Sequence, residues 1–228
     1  MYIWKCWRET RFFTIVFLII AAAVMPVTAA VSVGTHFMEE FGGAAFTSAL
    51  AAILIGMALW LGVIAALHGF DDKTVQFLFT KPHSRASFVW IGWAVGCSEL
   101  LVVGLVNLFV GWLTLSMYSS HPLSSELFGS LANQEHGAFF VMSFFTYSLT
   151  YALTAALRNG VNGLGASMGS GIAYDVLVLA ARWRWNIQLP FPMERMGSLP
   201  YGISNLLWMV VALCFLLAAQ VVVERAEV

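Results

Sequence analysis

From residue 12 to residue 33 the chain runs Phe-Phe-Thr-Ile-Val-Phe-Leu-Ile-Ile-Ala-Ala-Ala-Val-Met-Pro-Val-Thr-Ala-Ala-Val-Ser-Val without one charged side chain. At about 1.5 Å per residue a helix of this length spans the hydrocarbon core of a bilayer. Five more apolar runs follow, at 46–67, 87–117, 137–157, 160–181 and 201–223. Backbone polar groups in hydrocarbon must be bonded within the chain, so runs of this length are expected as helices. The expected fold class is an all-α integral membrane protein, one domain over 1–228 with six transmembrane helices. Only 10% of the 228 residues are charged and 60% are hydrophobic, against roughly one quarter charged in a soluble domain.

The same composition excludes other classes. A formal net charge of -1, with Lys and Arg scattered along the chain, assembles no basic face for a nucleic-acid partner. Three cysteines, Cys6, Cys97 and Cys214, are an odd number without CxxC spacing, so neither a disulfide framework nor a zinc site is expected. A cleaved signal peptide fits the first run poorly, because a signal core is about 7–15 residues long and two tryptophans precede this one.

Charge sets the expected orientation. Residues 2–11 place Ile3, Trp4 and Trp7 on one helical face and Lys5, Arg8 and Glu9 on the other. They are expected as an interfacial helix, with Trp4, Trp7 and Arg8 as anchors. The loops 34–45 and 118–136 hold no Lys or Arg, whereas 69–86 holds Lys73, Lys81 and Arg85. The first two loops are therefore expected outside, and the third, with both termini, in the cytoplasm. Arg158 marks a tight cytoplasmic turn. Arg182, Arg184 and Arg195 then fall in an outer loop, 182–200, against that rule. Gly160, Gly163, Gly165, Gly169 and Gly171 fill the first half of the fifth run, where close helix packing is expected.

The polar stretch 69–86 separates the second and third runs. Asp72 can cap a short helix whose Val75, Leu78 and Phe79 share one face, before Lys81-Pro82 ends it. A short acidic-capped helix followed by Leu78-Phe-Thr-Lys-Pro-His-Ser-Arg85, between the second and third spans, resembles the cytoplasmic coupling segment of ABC transporter permeases of the exporter class (type 2). The amino-terminal Trp-Arg stretch, six runs and charged end extend the resemblance over the whole chain. It implies a separate ABC ATPase subunit, docked through Asp71, Asp72, Val75, Leu78, Phe79, Pro82 and Arg85, and a second permease protomer. It also implies export through a bacterial inner membrane, with ATP and Mg on the partner and no cofactor on this chain. Lys73-Thr74 stands where many relatives carry Gly-Thr. A membrane scaffold that recruits a soluble partner through the same segment is the alternative.

No lysine stands in a phosphate-cradling Gly-x-x-x-x-Gly-Lys-Ser/Thr loop, so no ATPase site is expected here. Gly165-Ala-Ser-Met-Gly169 has the letters of a nucleophile elbow, but a membrane helix does not supply the strand-turn-helix setting. The chain is expected to be non-catalytic. Glu99 and Asp175 are ionisable groups at membrane depth, a placement that points to function by default. Glu99 lies about 18 Å into its span. With Asn107, both are expected either to line a translocation path or to hydrogen-bond across helices, to Asn107, Asn162 or a tyrosine.

Overall fold

The computed structural model describes residues 2–34, 42–69, 85–118, 134–187, 189 and 201–225, which form six helices and no strand. They are α1 (Tyr2–Gly34), α2 (Gly42–Gly69), α3 (Arg85–Tyr118), α4 (Gln134–Leu157), α5 (Gly160–Trp185) and α6 (Tyr201–Arg225). Each of the six apolar runs falls on its own helix. Among the described residues, Val89–Gly111, Phe139–Leu157, Gly160–Trp185 and Gly202–Arg225 are long and apolar enough to cross a membrane. This is a helical membrane protein.

Two boundaries differ from expectation. Residues 2–11 are not a separate helix but the first turns of α1, because no helix-breaking residue stands between Thr10 and Phe12. Helix α5 runs on to Trp185, so Arg182 and Arg184 lie in its last turn rather than in a loop. There their charges complement the carbonyl end of the helix dipole. Asn186 then turns left-handed (φ 52°) and Ile187 N–H bonds to Ala181 O at 3.2 Å, closing the helix. The expected tight turn between α4 and α5 is present: Arg158 takes φ 50° and the Asn159 side chain accepts the Asn162 N–H at 3.1 Å.

Helices α2 and α4 form the centre. Helix α2 packs on α1, α3 and α4, while α4 packs on α2, α5 and α6. Their contact is filled by Met57, Leu61, Tyr147 and Tyr151, all essentially inaccessible. Gly62 permits it, since a Cβ there would lie 2.8 Å from Thr150 Cβ. Tyr147 and Tyr151, one turn apart on α4, donate to the carbonyls of Trp93 (3.1 Å) and Val89 (3.0 Å), one turn apart on α3. These pairings run in opposite chain directions, so the two helices are antiparallel. Gly96 leaves room for the Tyr147 hydroxyl.

Helix α5 is the exception to this packing. It lies on α4 and, less extensively, on α2, and of its 26 residues only Gly163, Ser167 and Ala181 are buried. The close packing expected of its glycines holds at Gly160, against Val63 and Leu67, and at Gly163, against Thr154. Gly165, Gly169 and Gly171 face open space.

Candidate functional site

Glu99 is only 4% exposed on α3, and its carboxyl lies between two threonines of α1. Thr10 Oγ1 is 2.6 Å from Glu99 Oε1 and Thr14 Oγ1 is 2.8 Å from Oε2. The arrangement follows from helix geometry: Thr10 and Thr14 are four residues apart and stack on one face of α1. Each hydroxyl is also within reach of its own helix, Thr10 of Cys6 O at 3.0 Å and Thr14 of Thr10 O at 3.4 Å. A hydroxyl has one proton and two lone pairs. A carboxylate at Glu99 can therefore accept from both threonines, whereas a protonated Glu99 can donate to one that turns its own proton to the helix carbonyl. The cross-helix partners are thus Thr10 and Thr14, not Asn107, Asn162 or a tyrosine. Thr10 falls in the stretch 2–11 expected at the membrane surface, whereas Thr14 falls in the first expected span.

A second polar feature lies across the bundle. Helices α2, α4, α5 and α6 line a half-open cavity of about 490 Å³, bounded by Leu59, Phe145, Tyr174, Asp175, Trp208 and Phe215 among others. The Phe145 ring stands edge-on to Trp208 (centroids 5.5 Å, 85°) and to Phe215 (5.6 Å, 74°). Asp175 is exposed on α5 and forms no hydrogen bond or ion pair with another described residue. Trp208 is 7% exposed, and its buried indole Nε1 has no hydrogen-bond partner among the described residues. Ser167, in the Gly-x-Ser-x-Gly letters, lies in the helix interior with its hydroxyl 2.6 Å from Thr150 Oγ1.

Helix α3 places Asn107 two turns beyond Glu99, fully buried, with neither amide atom bonded to another described residue. Asn107 therefore joins neither the Glu99 cluster nor the cavity. Trp4 and Trp7 are exposed with ring centroids 5.0 Å apart, Arg8 is exposed beside them, and the Arg11 guanidinium lies 5.7 Å from the Trp7 ring. Lys5 and Glu9 pair at 3.8 Å. Asp71, Asp72, Val75, Leu78, Phe79 and Pro82 lie outside the described residues, and Arg85 opens α3. Among the described residues no group of three or more His, Cys, Asp or Glu could hold a metal. Trp208, Thr10 and Thr14 are the site residues that sequence reasoning missed. A hydroxyl pair at i, i+4 where α1 passes from its charged first turns into its apolar run was the available signal for the threonines; Trp208 had none.

No protein-family model, curated protein or solved structure matches this chain.

Proposed function

We propose that this protein is the membrane-spanning permease subunit of an ATP-driven exporter of the ABC type 2 class. Two protomers enclose the translocation path, and a separate ATPase subunit with ATP and Mg docks on the segment 69–86. The observation that carries the reading is that segment itself, an acidic-capped apolar face ended by Lys81-Pro82 and followed by Arg85, between two membrane helices. The packing is compatible: α5 leaves most of its surface uncovered, as a helix facing a second protomer does. Rigid-body rocking of the two halves, driven by ATP-dependent closure of the ATPases, alternates access. In this reading all six helices span, both termini are cytoplasmic, and this chain performs no chemistry. The test is purification from the native membrane in mild detergent. An ATPase subunit in equal amount, with ATP-dependent substrate movement in inverted vesicles, is the expected result. A soluble partner without nucleotide-binding loops would overturn the reading in favour of a scaffold.

A further inference from the structure

Resting on the permease reading, we infer that the cavity between α2, α4, α5 and α6 binds apolar organic cations, with Asp175 as counter-ion and Phe145, Trp208 and Phe215 as the covering wall. Three observations converge. The volume, about 490 Å³, falls within the roughly 300–1,000 Å³ of small-molecule sites. One side of the lining holds the Phe145, Trp208 and Phe215 rings set edge to face, and the negative π-face of such a ring favours a cation. The ionisable acidic group of this apolar lining is Asp175, which forms no hydrogen bond or ion pair with another described residue. The hydroxyls of Ser167 and Ser170 are already engaged, with Thr150 at 2.6 Å and with Ser167 O at 2.8 Å.

An ionised group at membrane depth needs a partner or water. The nearest cation along α5, Arg182, is seven residues and about 10 Å further on, too far to pair. A neutral acyl chain in the cavity would leave Asp175 unmatched, and an anion would set like charges together. An apolar cation supplies the opposite charge and, with its hydrocarbon, fills the rest.

The experiment uses the purified chain in lipid nanodiscs, without ATPase, and two ions of one shape and opposite charge, tetraphenylphosphonium and tetraphenylborate. Saturable binding of the cation at one site per chain is expected, with no saturable component for the anion. Asp175→Asn should weaken cation binding about tenfold or more, and Trp208→Leu severalfold. Equal binding of the two ions, or an unchanged Asp175→Asn protein, overturns the inference and makes the cavity a lipid-filled groove. The comparison of ions on the unaltered chain holds even if a variant fails to fold. ATPase co-purification without cation binding removes the ligand class and leaves the permease reading. Cation binding without an ATPase partner does the reverse.

Discussion

Replacing Thr10 and Thr14 together by valine tests the Glu99 cluster directly. Both bonds cross from α1 to α3, at 2.6 and 2.8 Å, and the carboxyl that receives them is 4% exposed. Interhelical hydrogen bonds in membranes contribute about 0.6 kcal/mol on average and at most about 1.7. Two of them therefore account for about 1–3 kcal/mol. A buried acceptor left without a donor adds a penalty of about 1–3 kcal/mol, so the double variant should lose about 2–6 kcal/mol in total. Valine conserves shape, and neither threonine is at a turn, so packing should contribute little. Adding Glu99→Leu removes the stranded carboxyl, and the triple variant should return to within about 1 kcal/mol of the unaltered protein. Equilibrium unfolding in mixed micelles with rising SDS, followed by tryptophan fluorescence, measures all three. A double variant as stable as the parent, or a triple variant less stable than the double, refutes the reasoning. Should the triple variant fold and couple normally to its ATPase, Glu99 is a structural clamp; should it fold and lose coupling, the carboxyl has a role beyond holding α1 to α3.

Further perturbations test the remaining parts. Leu78→Asp, placing an unpaired charge in the docking contact, should leave the protein membrane-inserted and detach the ATPase, whereas Gln76→Ala should co-purify with it normally. Cysteines introduced near Glu39 and Gln134 and beside Arg184 should label from outside and one near Lys73 from the cytoplasm; cytoplasmic labelling beside Arg184 alone would overturn the six-span orientation. Gly163→Val should destabilise the fold by about 1–3 kcal/mol, because a Cβ there meets Thr154 Cα at 2.6 Å. Gly169→Val, with open space around it, should leave the unfolding curve of the monomeric chain unchanged.

The helices were legible because charge-free length is a strong signal in a membrane chain, and so was the α4–α5 turn, where Arg158-Asn159 interrupts two apolar runs. Their mutual contacts were not. Lipid is as apolar as the protein interior, so the face a membrane helix turns inward carries no hydrophobic contrast. Gly160 and Gly163 pack tightly and Gly165 and Gly169 do not, although all four have the same appearance in the sequence. The Glu99 cluster was half legible: the carboxyl announced itself, but Thr10 lay in a stretch whose tryptophans and basic residues suggested the membrane surface, and Thr14 was one hydroxyl in an apolar span. Continuity of α1 puts Thr10 and Thr14 alongside α3 instead. The cavity was less legible still, since Trp208 belongs to a helix 25 residues long with apolar side chains on every side.

The two membrane carboxylates illustrate why depth alone does not assign a role. Glu99 and Asp175 both stand within apolar helices, and from sequence both draw the same inference. In the folded chain Glu99 is enclosed, with each oxygen matched by a hydroxyl of a neighbouring helix; its interactions are complete without anything from outside. Asp175 is the reverse, exposed on a helix with few buried residues and part of the lining of the cavity that Phe145, Trp208 and Phe215 also line. Hydrocarbon does not supply this carboxyl with a partner, and the described residues of this chain do not either. What completes it arrives from elsewhere, either a ligand in the cavity or a group of a second protomer packed on α5. Binding to the dispersed monomeric chain separates the two, because a site completed by a protomer would be lost on dissociation, whereas a cation site formed by α2, α4, α5 and α6 alone would remain.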